Sequence, residues 1–315
     1  MIGVWAGMAS EAGSGRANED FAAVGPGVAV VVDGAGTPDG LPTGCVHGTA
    51  WYARQLAVAL HARATAGSEA GSTARGVAGG GQGLDGCLAD AVEEVAAMHG
   101  GGCDLGDPMT PSATVAAVRF REDGAGLLEW LVLADATVVL DLAGPRPGQD
   151  SGQRPGPRPG PGQGAEPGGP VVVSDHRVQQ VVRDQRLRLA DELAGLDRTR
   201  RLHALVRAQR SAMNVQGGYW VAAADPKAAA EALTGSVPLA RVRTAALLSD
   251  GAARAVDDFG VLDWPGLLAL LAAQGPEGLI ARTRELERGD PDGRRWPRGK
   301  RHDDATAVVL RSRGR

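Results

Sequence analysis

Aromatic side chains are scarce: three Phe, six Trp and two Tyr serve a chain of 315 residues. Ala, Val and Leu must therefore fill the core, which favours closely layered strands and helices. Cysteine is almost missing as well. Cys45, Cys87 and Cys103 have no metal-type spacing and cannot all pair with one another. They read as small buried or half-buried thiols of a reduced, cytoplasmic protein. No apolar run is long enough to span a bilayer. The N-terminal MIGVWAGMAS lacks the basic start and long hydrophobic segment of a secretion signal. A strong charge of one sign is also lacking. Lys and Arg total 33 against 37 Asp and Glu, a net of −4 that argues against a nucleic-acid or membrane partner.

Glycine and proline are plentiful, and they concentrate in two stretches. Residues 65–83 are rich in Gly, Ser and Ala, and residues 143–170 in Gly, Pro and Arg with repeated RPG and GPG units. Neither can bury enough apolar area to offset its ordering entropy, so both are expected to be disordered inserts. The second is a tolerated surface insertion or a docking peptide for a partner. Acidic motifs lie on both sides of it, so a single domain spanning 1–315 is expected.

Between these stretches, strand and helix patterns alternate. Strands are expected at 28–32, 114–120, 128–134, 137–142, 242–248 and 305–310. Apolar residues recur every three or four positions over 43–64, and again over 87–98, marking amphipathic helices. Leu189, Leu193 and Leu196, then Leu202, Leu205 and Val206, give two further helical faces within the charged stretch 183–212, whose charges read as solvated. Helices over 264–274 and 276–288 complete the set. Strand groups interleaved with helix pairs predict an α+β fold of two antiparallel sheets covered by helices.

Four acidic motifs stand at or beside the ends of apolar runs: NED at 18–20, VVDGAG at 31–36, LLSDG at 247–251 and HDDATAVVL at 302–310. Each alone has an ordinary explanation. An Asp before Gly suits a turn, and Asp250 suits a helix cap. Taken together they suggest distant carboxylates gathered by a sheet, which suits a hard cation such as Mg²⁺ or Mn²⁺.

In order and spacing these motifs resemble the metal-dependent, type 2C Ser/Thr protein phosphatases over roughly 3–311, apart from the two inserts. RANED resembles that family's Arg…Asn-Glu-Asp opening and VVDGAG its Asp-Gly turn. SATVAAVRF, LADATVVL, LLSDG and DDATAVVL resemble the later strands and metal-binding turns. The resemblance implies a central β-sandwich flanked by helix pairs, four layers in αββα order. It also implies a hydrolase with two Mn²⁺ or Mg²⁺ ions, acting on phosphoserine or phosphothreonine of proteins or peptides in signalling. Asp33 would bridge both ions, with the Gly34 carbonyl on one of them and Glu19 nearby. Asp250 and Asp303 would hold the other. Asp20 would support them, Arg16 would orient the phosphate, and Asp135 corresponds to the position of a third metal.

Four places depart from that family, one of them Arg16, which sits one residue nearer Glu19 than the usual phosphate-binding Arg. Ala35 stands where a His usually follows the Asp-Gly turn, leaving His47 as a substitute general acid. Asp135 is flanked by Ala134 and Ala136, with Thr137 in place of the usual Arg. Arg254 replaces the acid expected four residues after Asp250. These departures carry the alternative, a phosphatase-like regulatory module with weak turnover or none.

Overall fold

A computed structural model describes residues 4–13, 17–38, 40–73, 82–121, 126–144 and 169–312. Two five-stranded antiparallel sheets lie face to face. One sheet runs β1 (Val4–Glu11), β10 (Ala305–Ser312), β9 (Val242–Leu248), β6 (Thr137–Leu142) and β7 (Val171–Val173). The other runs β2 (Asp20–Gly25), β3 (Val28–Ala35), β4 (Ser112–Arg121), β5 (Leu127–Leu133) and β8 (Leu233–Pro238).

Strand alternation divides the core into three apolar layers. Along β3, Val28, Val30 and Val32 face α1 (Thr49–Thr73) and α2 (Leu84–Met98), while Ala29 and Val31 face the space between the sheets. Along β9, Leu247 enters that inter-sheet core, whereas Ala246 and Leu248 meet α6 (Asp250–Asp257) and α7 (Trp264–Gly289). The result is the αββα order. Small side chains permit this close layering: Ala29, Ala116, Ala136 and Ala245 are wholly buried between the sheets.

α3 (Arg177–Arg188), α4 (Ala190–Ala194) and α5 (Arg198–Ser211) form an outlying helical unit at one end of the sandwich. Arg210 ties it down. Its guanidinium donates to Ala35 O at 2.5 Å, Ser112 Oγ at 2.7 Å and Thr110 O at 3.3 Å.

Several boundaries differ from the sequence expectation. The helix expected over 43–64 starts only at Thr49, because Gly48 adopts φ +81° and interrupts any helix before it. The same helix continues to Thr73, so 65–73 is helical despite its Gly and Ser content. The rest of the first insert, 74–81, and most of the second, 145–168, lie outside the described residues, as does Arg16. The break between the helices expected at 264–274 and 276–288 is real: within α7, Gly275 has φ +73° and Pro276 follows it.

Candidate metal centre

Register brings the first acids together. Asp20 on β2 pairs directly with Asp33 on β3, and Asp33 pairs on its other side with Thr114 of β4. Paired residues share a face, and Asp33 follows Ala29 and Val31 on the inter-sheet face. Both carboxylates therefore stand at one open end of the sandwich. From the opposite sheet, β9 ends at Leu248 and Ser249 caps α6, leaving Asp250 in that helix's first turn. The strand β10 is preceded by Asp303 and Asp304. Asp135 enters from the β5–β6 turn, where Ala134 adopts φ +63°.

Glycines allow the turns to close. A Cβ on Gly34 would lie 2.6 Å from Thr49 Cγ2 and 2.7 Å from Glu19 O, and one on Gly251 would lie 1.9 Å from Asp304 O. Both Asp-Gly pairs are thus sites of close backbone approach. Gly34 N donates to Glu19 O at 3.1 Å. Asp304 braces the same corner, accepting from Gly13 N at 2.6 Å and Glu19 N at 2.8 Å.

The electrostatics are those of acids held too close for all to ionise. Burial pushes Asp33 well above the usual carboxylate range, and Asp20, Asp250, Asp303 and Asp135 push it further. Burial and the Asp250 charge raise Asp135 to about 7. Asp20 is also raised to about 7, by burial first; the Ser249 and Thr306 hydroxyls beside it oppose the rise and the Asp250 and Asp304 charges add to it. Those hydroxyls are engaged elsewhere, Ser249 Oγ by Thr306 N at 2.9 Å and Thr306 Oγ1 by Ser10 Oγ at 2.6 Å. Neither Asp20 oxygen completes a hydrogen bond of good geometry. Burial and Asp303 raise Asp250, while Arg254, Lys300 and a hydrogen bond with Asp33 oppose the rise. Asp33 on one sheet and Asp250, at the start of α6 just beyond the other, are thus close enough to shift each other's titration.

This oxygen-only donor set, with one buried carboxylate lacking a partner, fits a hard divalent cation. Asp303 differs from the other acids. Its Oδ1 accepts from Lys300 Nζ at 2.5 Å and its Oδ2 from Arg254 Nη2 at 2.7 Å. Arg254 therefore brings positive charge to the place where an acid was expected. Burial would lower the Lys300 pKa, but Asp303, Asp33 and Asp250 hold it above its ordinary value.

Beside the acids lies a cleft of about 820 Å³. Asp135, Asp250, Asp257 and Asp258 line it together with Arg183 and Arg186 from α3. The sequence reading assigned the charges of 183–212 to solvated faces. Arg183 and Arg186 are indeed solvent-exposed, and they also line the cleft that holds Asp135 and Asp250.

His47 lies elsewhere. It stacks on Trp51 with ring centroids 4.2 Å apart, and its Nδ1 is 3.3 Å from Cys103 Sγ and 3.9 Å from Cys45 Sγ. These partners contain no member of the acid cluster. The expectation that the cysteines have no metal-type arrangement is also corrected, because Cys45, His47, His99 and Cys103 place their ligand atoms within 4.8 Å of one another. A Cys-x-His pair and a His-x₃-Cys pair were present in the sequence, but counting cysteines alone passes over them.

In metal-free protein these carboxyls predict an unusual pH response. For Asp20, between the unfolded value of 3.8 and about 7, the folded chain keeps a proton that the unfolded chain has released. Raising the pH through that window therefore favours unfolding. Without divalent cations, the thermal midpoint is expected to fall from about pH 5 to pH 7. At pH 7, Mn²⁺ at 100 times its dissociation constant should restore about 2.7 kcal/mol. Calorimetric scans with and without Mn²⁺ measure both effects; a midpoint that rises over this window and ignores Mn²⁺ would contradict them.

No protein-family profile and no curated protein sequence matches this chain. Solved structures do match its fold. PppA, a key regulatory component of the T6SS in Pseudomonas aeruginosa, is 17% identical, with 99% of each chain covered and a TM-score of 0.52. The serine-threonine phosphatase 2C from Toxoplasma gondii is 13% identical over 98% of this chain and 94% of its own, with a TM-score of 0.53. The Ser/Thr phosphatase Stp1 from Staphylococcus aureus is 13% identical over 100% and 96%, with a TM-score of 0.50. The sandwich described above is thus the fold of the type 2C phosphatases.

Proposed function

We propose that this chain is a divalent-cation-dependent phosphomonoester hydrolase acting on phosphoserine and phosphothreonine in proteins or peptides. The observation that carries this reading is the meeting of Asp33 and Asp250 from opposite sheets, beside a cleft whose wall bears Arg183 and Arg186. Uncompensated carboxylates would repel a phosphate dianion, so such a site can receive one only with cations present. Asp33 and the Gly34 carbonyl, with Glu19 nearby, would hold one Mn²⁺ or Mg²⁺ ion. Asp33, Asp250 and Asp303 would hold the other. Bound ions of this kind polarise phosphoryl oxygens and lower the pKa of a coordinated water.

The chain supplies the remaining features. Asp20, paired with Asp33 across the strands, adds buried oxygens that lack another hydrogen-bond partner, and Asp304 fixes Glu19 and the Gly13 corner. Arg183 and Arg186 draw the phosphorylated segment into the cleft. Arg210 holds their helical unit to Ala35, next to the Asp33-Gly34 turn.

Lys300 and Arg254 favour a second reading. They neutralise both Asp303 oxygens, as expected of a binding module that uses its own cations and does not turn over. Phosphate release from a phosphothreonine peptide separates the two. The hydrolase reading expects release that requires Mn²⁺ or Mg²⁺ and stops on chelation. Phosphopeptide binding with no release at any cation concentration would leave the module.

A further inference from the structure

The loop that enters α1 carries Cys45 and His47. The turn that leaves α2 carries His99 and Cys103. We propose that these four residues form a tetrahedral Zn²⁺ site, separate in position and chemistry from the carboxylate centre. His99 Nδ1 lies 3.5 Å from Cys45 Sγ, and His47 Nδ1 lies 3.3 Å from Cys103 Sγ and 3.9 Å from Cys45 Sγ. Zinc bonds of about 2.3 Å to sulfur and about 2.0–2.1 Å to nitrogen place neighbouring tetrahedral ligands roughly 3.3–3.8 Å apart. Two of these separations fall in that range and the third lies just above it, and all four ligand atoms lie within 4.8 Å of one another, so a small inward movement closes them on one ion.

The surroundings favour metal ligation. Val46 N donates to Cys103 Sγ at 3.4 Å and His47 N to Cys45 Sγ at 3.3 Å. Burial raises the Cys45 thiol, and the backbone donors aimed at its sulfur oppose that rise, favouring the thiolate that binds metal. His99 is buried, and Trp51 covers both imidazoles, stacked on His47 and edge-on to His99 with centroids 4.8 Å apart. The two loops are locked independently of the side chains, with Asp104 N donating to Gly44 O at 2.6 Å. The ligands are therefore held in place before any ion arrives.

Two thiolates and two imidazoles select Zn²⁺, whereas the oxygen ligands of the acid cluster suit Mg²⁺ or Mn²⁺. The two sites would thus sort their ions by ligand chemistry. With four protein ligands the zinc site is closed, which makes it structural. It clamps the start of α1 to the end of α2. Thr49, the first residue of α1, packs against Gly34, so the clamp also steadies the Asp33-Gly34 turn.

The test is a Co²⁺ titration of the full-length chain carrying Asp33→Asn, so that the carboxylate centre contributes little. One equivalent should develop thiolate-to-cobalt charge-transfer bands and the intense ligand-field absorption of tetrahedral Co²⁺, and Zn²⁺ should abolish both. The bands should be lost in C45S/C103S and kept in C87A. Zn²⁺ affinity of Cys103→Ser should fall by more than the roughly 10–100-fold that loss of a supporting hydrogen bond costs. Should the double variant not fold, alkylation of the unsubstituted full-length chain mapped by mass spectrometry decides the matter. Zn²⁺ should slow modification of Cys45 and Cys103 by about tenfold or more, and a chelator should reverse this. Weak octahedral absorption alone, bands that survive in C45S/C103S, a Cys45–Cys103 disulfide in reduced preparations, or alkylation indifferent to Zn²⁺ would each overturn the assignment.

Discussion

Asp33→Asn is expected to lower Mn²⁺-dependent phosphate release by at least about 10²–10³-fold, the scale set by losing one charge-stabilising group in an active site, while making the metal-free protein no less stable. The two effects share one cause. Asp33 stands against Asp20 across a β-pair and feels the charge of Asp250. Its carboxyl is raised by burial and by four other acids. Asn preserves the shape and removes one charge, so the repulsion that hinders folding without cations diminishes. The same removal weakens the set of oxygens that would hold them. The thermal midpoint without metal should therefore stay level or rise, and the gain on adding Mn²⁺ should shrink. Full turnover by Asp33→Asn, with an undiminished Mn²⁺-induced shift, would show that Asp33 is a turn residue only.

Glu287→Ala should destabilise the fold by about 3–5 kcal/mol, through loss of a buried partner for charged groups. Glu287 is wholly buried on α7. Arg254 Nη1 and Arg284 Nη1 each reach it at 2.8 Å, and His302 Nδ1 at 2.7 Å. Burial alone would raise its pKa, but the bonds from His302, Arg284 and Arg254 hold it below the usual value. Ala would leave two nearly buried guanidiniums short of their shared carboxylate, and Arg254 could then turn fully toward Asp303. Denaturant unfolding measures the cost, and Glu287→Gln, which keeps the packing, should recover only part of it. A loss below about 1 kcal/mol, the range of an exposed ion pair, would contradict this role. Because the Glu287 pKa is depressed, its stabilising share is present above the unfolded value and lost as pH falls through the folded one. That is opposite in direction to the response of the acid cluster.

The sequence revealed the centre of each sheet and missed its borders. The six strands expected from apolar runs are β3, β4, β5, β6, β9 and β10. The four not foreseen, β1, β2, β7 and β8, are the four sheet edges. Central strands are buried on both faces and read as continuous Val, Leu and Ala, as VAVVV of β3 does. The edge strand β8, LTGSVP, carries Gly, Ser and Pro, which limit unwanted pairing and erase the strand signal, whereas β7, VVV, is only three residues long.

The site was legible for a related reason. Asp33, Asp250 and Asp303 each adjoin a central strand whose position the apolar pattern shows. Arg183 and Arg186 lie on a helix with no wholly buried side chain, and nothing local to 183–212 indicates the cleft beyond it. The Lys300 and Arg254 contacts with Asp303 are likewise tertiary. Cys45 and Cys103 are separated by two helices, so their meeting depends on how α1 and α2 pack.

Anomalous diffraction from crystals soaked in Mn²⁺ tests the central claim most directly. Density for Mn²⁺ is expected among Asp33, Asp250 and Asp303, with Lys300 displaced from Asp303. Crystals that bind no Mn²⁺ there at saturating concentration, with Lys300 and Arg254 still holding both Asp303 oxygens, would contradict it.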